Sequence, residues 1–116
     1  MKFDNVIVDK SKAFAIRIIK MYQYLIREKK EYILSKQIIR SGTSIGANVK
    51  EASHAYSKPD FYTKIGIALK EASETEYWLE LLHATGYLTN MQFDSMCTDC
   101  QEVLKILMAI SRTNKK

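Results

Sequence analysis

Apolar residues recur along this chain at helical spacing, every three to four positions, and nowhere alternate in the manner of a half-buried strand. Between about Asp9 and Lys29, the residues Phe14, Ile18, Met21, Tyr22 and Leu25 fall within roughly a third of a turn at 100° per residue, flanked by Ala15, Ile19 and Ile26. That pattern predicts a first helix with a broad apolar face. Ile16 and Tyr24 lie off the stripe, as isolated surface apolars or as contacts with a second partner. From about Glu31 to Tyr56 the pattern continues through Leu34, Ile38, Ile45 and Val49, interrupted by the small residues between Ser41 and Ala47. A glycine inside a helix costs about 1 kcal/mol against alanine, so something must offset Gly42 and Gly46. Four apart, they share a face and would let another backbone approach closely. A break into two shorter helices is the alternative.

The next segment is clearly punctuated. Ser57-Lys58-Pro59-Asp60 supplies an N-cap serine, a proline in the first turn where its missing N–H does no harm, and an acid at the third helical position. A third helix should run from Lys58 to about Thr85, with Phe61, Ile65, Ala68, Ala72 and Leu79 on one face, widened by Trp78, Leu81 and Leu82. Gly86 is placed to end it in the left-handed conformation. Thr89-Asn90-Met91-Gln92 reads as a capping box, opening a fourth helix whose apolar side comprises Phe93, Met96, Cys100, Val103, Leu104, Leu107, Met108 and Ile110. It should reach about Arg112. Short connections between such long segments force neighbours to run in opposite directions. The expectation is an all-α fold, one antiparallel up-and-down four-helix bundle over residues 1–116.

Composition agrees: one proline and four glycines among 116 residues leave little material for the turns of an all-β fold. No stretch approaches the roughly 18 apolar residues of a membrane span, and the start MKFDNVIVDK has no apolar signal core. A cytoplasmic protein that does not engage the membrane is expected, and Cys97 and Cys100 suit a reducing compartment because they form no disulfide framework. Charge is uneven. Residues 1–58 hold twelve Lys/Arg against five Asp/Glu, whereas residues 59–116 hold six against eight. A basic first half points to an anionic partner, although ordinary solubility has the same signature.

Few residues offer chemistry. Glu51-x-x-His54 and Glu80-x-x-His83 have the spacing used at di-iron centres of four-helix bundles. Antiparallel helices would place the two histidines at opposite ends, about 25 Å or more apart by helical rise, so surface or rim roles are expected. Cys97-x-x-Cys100 gives two thiolates where structural zinc wants four ligands. Glu71, Glu74, Glu76 and Glu80 line the third helix without a nucleophile or a phosphate-cradling loop, and Glu76, near the apolar face, should pair with Arg40 or another base. No cofactor, metal or catalytic centre is expected. Lys10, Arg17, Lys20 and Arg27 fall within about 100° on the first helix, away from its main apolar face, and Lys36, Arg40 and Lys50 add charge on the second. Lys12, Lys29 and Lys30 lie in the same half. Such a surface can neutralise phosphates without reading bases; an ordinary solvated face is the bland alternative.

Several stretches together resemble the small four-helix-bundle proteins encoded in intervening sequences of 23S ribosomal RNA genes. They are Ser11 to Ala15; Gln37 to Ala52, reading QIIRSGTSIGANVKEA; Ser57 to Phe61; Ile67 to Leu79, reading IALKEASETEYWL; and Thr85 to Leu88. Many relatives carry proline near the end of the first helix, where this chain has none around Lys30. The resemblance implies a ring-like homopentamer of bundles with a largely undefined activity. Some relatives are accessory proteins to reverse transcriptases of diversity-generating retroelements, where a basic surface engages nucleic acid. It thus implies self-association and RNA or DNA at the basic residues named above, or else a protein partner for an adaptor with no nucleic-acid role.

Overall fold

The computed structural model describes residues 5–114. Among them are four helices and no strand: α1 (Asn5–Arg27), α2 (Leu34–Ser53), α3 (Lys58–Ala84) and α4 (Asn90–Ser111). Side-chain pairings fix their directions. Ser11 and Ile18 of α1 lie against Gly46 and Gly42 of α2, Glu51 and Arg40 of α2 against Lys64 and Glu71 of α3, and Ala72 and Glu76 of α3 against Cys100 and Cys97 of α4. Lys10 and Arg17 meet Glu102 and Asp99 to close the ring. Numbers rise on one helix as they fall on the next, so every neighbour pair is antiparallel. The bundle measures 46 × 20 × 19 Å. Its densest seam is α2–α3 and its sparsest α1–α4, and among the described residues the Cα atoms of neither diagonal pair come within 8 Å of each other.

The stripes meet in one core. Phe14, Ile18, Leu25, Ile38, Ile45, Val49, Ile65, Leu79, Val103 and Leu107 are all but sealed from water, and Phe61 is buried beside them. At about 25 cal/mol per Å², burial of this kind is the main favourable term in folding. Gly42 and Gly46 do admit a close neighbour: a Cβ on Gly42 would sit 2.8 Å from Ile18, and one on Gly46 would sit 3.4 Å from the Ser11 carbonyl oxygen. α2 runs unbroken through both, which removes the alternative of two shorter helices.

The element ends differ from expectation at α1 and α2. α1 begins four residues earlier, at Asn5, because Ile7 extends the stripe one more repeat below Phe14 and is fully buried. α2 begins at Leu34 rather than Glu31, because Lys30 turns into the left-handed region (φ 54°) and Glu31 becomes a cap instead of a helical residue. Its carboxylate accepts from the backbone N–H of Ile33 (3.1 Å), Leu34 (2.9 Å) and Ser35 (2.7 Å). Ser57 caps α3 by accepting from the Asp60 N–H, Gly86 follows α3 at φ 85°, and Thr89 and Gln92 form the capping box of α4. Met108, placed on the core face by its spacing, is 44% exposed, while Leu104 and Ile110 beside it are partly buried.

Candidate nucleic-acid interface

The bundle has one end carrying the α1–α2 and α3–α4 turns and another carrying the α2–α3 turn. The seven basic residues do not form one unbroken stripe. Lys20 and Arg27 on α1, and Lys36 on α2, are exposed at the two-turn end and make no ion pair among the described residues, and neither do their exposed neighbours Lys29 and Lys30. Lys50 is also exposed and unpaired but stands near the other end of α2, about 21 Å from Lys36 by helical rise.

The remaining three are engaged. Lys10 Nζ lies 3.1 Å from Glu102. Arg17 donates to Asp99 Oδ2 at 2.6 Å and to the Ser95 hydroxyl and carbonyl at 2.8 and 3.3 Å, which stitches α1 to α4. Spacing on α1 alone placed both on a free face, because it could not show that this flank meets α4. Arg40 bridges Glu71 (3.1 Å) and Glu74 on α3, and both hydrogen bonds raise its pKa. Glu74 in turn accepts from Trp78 Nε1 at 3.0 Å, and that bond, followed by the one from Arg40, holds its carboxyl below the usual range. The expected Arg40–Glu76 pair is therefore replaced: Arg40 takes Glu71 and Glu74 on the α2 side, whereas Glu76 faces α4 and accepts from Gln101 Nε2 at 3.2 Å.

Charge is thus segregated about the long axis. The α1–α2 flank at the two-turn end holds unpaired cations; the α3–α4 flank at the same end holds Glu76, Glu80 and Asp94, whose fields join desolvation in raising the Cys97 thiol. Cys100 is buried against the Ala72 carbonyl (3.5 Å), and desolvation pushes its pKa up to about 12. Both groups therefore favour the thiol over the thiolate that metal ligation or nucleophilic attack needs. Among the described residues no three His, Cys, Asp or Glu side chains gather as a metal site. His54 lies exposed past α2, while His83 stacks on Phe93 at 4.4 Å and meets Asn90 at the opposite end. The two Glu-x-x-His motifs do not converge.

Sequence reasoning missed three features. Thr75, wholly buried, places its hydroxyl 2.8 Å from both the Ser41 hydroxyl and the Glu71 carbonyl. One proton cannot serve both, so Ser41 donates to Thr75 and Thr75 to the carbonyl. The cap formed by Glu31 is the second. The third is a groove of about 460 Å³ where α1 and α4 part, lined by Arg17, Lys20, Met21, Tyr24, Leu88, Met91, Gln92, Ser95 and Met96. The off-stripe position of Tyr24 was its one trace in the sequence. No described helix is long and apolar enough to cross a membrane.

Comparison with known proteins agrees with this architecture. None of the curated proteins matches the chain. A crystal structure from Bacteroides thetaiotaomicron VPI-5482, described as a protein with unknown function from the S23 ribosomal protein family, superposes with a TM-score of 0.90 at 54% identity, covering 90% of this chain and 97% of that one. The family model of the 23S rRNA-intervening sequence protein matches residues 4–109. With that match over nearly the whole bundle, the chain belongs to the 23S rRNA-intervening sequence protein family.

Proposed function

We propose that this protein is a non-enzymatic, self-associating helical scaffold that binds RNA or DNA through phosphate contacts. The observation that carries the proposal is the cluster of exposed, unpaired cations at the two-turn end: Lys20 and Arg27 on α1, Lys29 and Lys30 in the turn, and Lys36 on α2. These can neutralise phosphates at no cost in existing ion pairs. Lys10, Arg17 and Arg40 would first have to exchange a carboxylate for a phosphate, which makes them secondary, and Lys50 would extend the contact along α2. In a ring of five, as the resemblance implies, each 13.4 kDa chain would add one such cluster.

The test is binding of a 30-nucleotide RNA and the matching DNA duplex across salt. About five phosphate contacts predict an affinity that falls between 50 and 200 mM salt by a factor of about a hundred for the single-stranded RNA and several hundred for the duplex. Joint reversal of Lys20 and Arg27 to glutamate should remove it, while Lys10→Glu should weaken it far less. Salt-independent binding, or none at low salt, would count against the proposal. Sedimentation measures the stoichiometry separately.

A protein–protein adaptor is the second reading, favoured by large apolar side chains left in water: Ile33 is 76% exposed, Met91 83%, Ile16 45% and Ile19 41%. A protein partner retained after nuclease treatment would support it over the first.

A further inference from the structure

The α1–α4 groove is a different kind of surface from the cationic flank. Above it Arg17 ties α1 to Ser95 and Asp99; toward the two-turn end the sparse seam opens. Its floor is apolar, made from Met21, Tyr24, Leu88 and Met96, and Met91 overhangs it from the first turn of α4. Three of the chain's five methionines are here. Thioether side chains are flexible and polarizable, a combination suited to gripping apolar groups of more than one shape. Lys20 stands at the rim unpaired, with Arg17 beside it already bound to Asp99, and no carboxylate lines the groove.

We infer that this groove docks an acidic amphipathic helix of a partner protein, which inserts two large apolar side chains one turn apart and sets a carboxylate against Lys20. Size and charge select that occupant. A groove of about 460 Å³ falls in the range of pockets that enclose a ligand, and holds about two side chains as large as leucine or phenylalanine. Two anchors on one face of a helix are spaced i, i+3 or i, i+4. A basic helix would be repelled at the rim. A phosphate backbone gains nothing from the methionine floor, so the groove and the cationic flank take different partners even though Lys20 borders both.

The probe is a library of 14-residue helical peptides with glutamates on the flanks and Leu, Ile, Met, Phe, Tyr or Trp at the two anchor positions. The readout is the ¹³C-methyl spectrum of the methionines in the full chain. Met108, on the far part of α4, is an internal control. Shifts at Met21, Met91 and Met96 with Met108 unmoved are expected, with binding lost when the glutamates become lysine or the anchors become alanine. Met91 is 83% exposed, so Met91→Glu leaves the fold intact. It should weaken the best peptide by at least about tenfold. The inference is overturned if no library member binds tighter than millimolar, if lysine-flanked peptides bind equally well, or if Met108 shifts with the rest. Concentration-dependent shifts without peptide would overturn it in favour of a second copy of this chain.

Discussion

Two glycines within helices show how one residue type takes opposite signs. Gly42 has no room for a methyl: the atoms within 3.2 Å of its ideal Cβ include Ile18 Cβ itself, not just the end of a flexible chain. Ile18 is β-branched and fully buried, so it cannot swing aside. Gly42→Ala should therefore cost about 1–2 kcal/mol after its gain in helix propensity is counted. Gly66 has nothing within 4 Å of its Cβ position, and Gly66→Ala should stabilise by up to about 1 kcal/mol. Urea midpoints of the two variants check both signs. The spacing of Gly42 and Gly46 made the close approach legible in sequence; the openness around Gly66 was not, because it depends on which flank of α3 meets no neighbour. Cys100 gives a pH signature. Burial holds its pKa near 12, well above that of an ordinary thiol, so the folded state keeps a proton that the unfolded chain releases. Stability is untouched below pH 9 and falls as pH rises from 9 toward 12, with a slope of order 1 kcal/mol per pH unit. Cys100→Ala should flatten that alkaline slope, as measured by chemical denaturation at several pH values.

At the scale of the element, starts and stops were legible where one local side chain decides them. Ser57 at α3 and Thr89 with Gln92 at α4 are caps written within four residues, and the structure has each of them. α2 was not legible in that way. Its cap is a glutamate three residues upstream that wraps back onto three N–H groups, a role made available by the left-handed turn at Lys30. Nothing in residue identity distinguishes that from glutamate in a first helical turn. Glu31→Ala should cost about 1–2 kcal/mol, since it strands the buried Ser35 N–H and the part-buried Ile33 and Leu34 N–H groups. Glu31→Gln, which retains one acceptor oxygen, should cost less. Amide exchange at Leu34 and Ser35 would report the loss directly, with protection there falling before that of Ile45 and Val49 in the middle and far part of α2.

For the whole molecule, the order of the helices was readable from short connections, but the relation of α1 to α4 was not, since it joins residues about eighty positions apart. That one unread seam decides most of the candidate site. It takes Lys10 and Arg17 out of the free cation set and opens the groove beside Lys20. A charge-removal test follows at this scale: Asp99→Asn should leave the Arg17 guanidinium without its carboxylate partner and should not disturb the core. If phosphates bind this flank, affinity for RNA should rise by about two- to tenfold at 50 mM salt, as read by fluorescence anisotropy. Stability should change by less than about 1 kcal/mol, because the pair is roughly two-fifths exposed.

Cations on one flank and acids on the opposite flank of a rod have a geometric result. A strand laid along the α1–α2 edge cannot wrap onto the far side, where Glu76, Glu80 and Asp94 would push it away. Under the proposed function each copy would be a one-sided grip, and a longer polyanion would be held only by setting several rods side by side with the same edge outward. Tenacity would then depend on how many grips share one strand, so the dilution at which the copies separate would also be the dilution at which the strand is released.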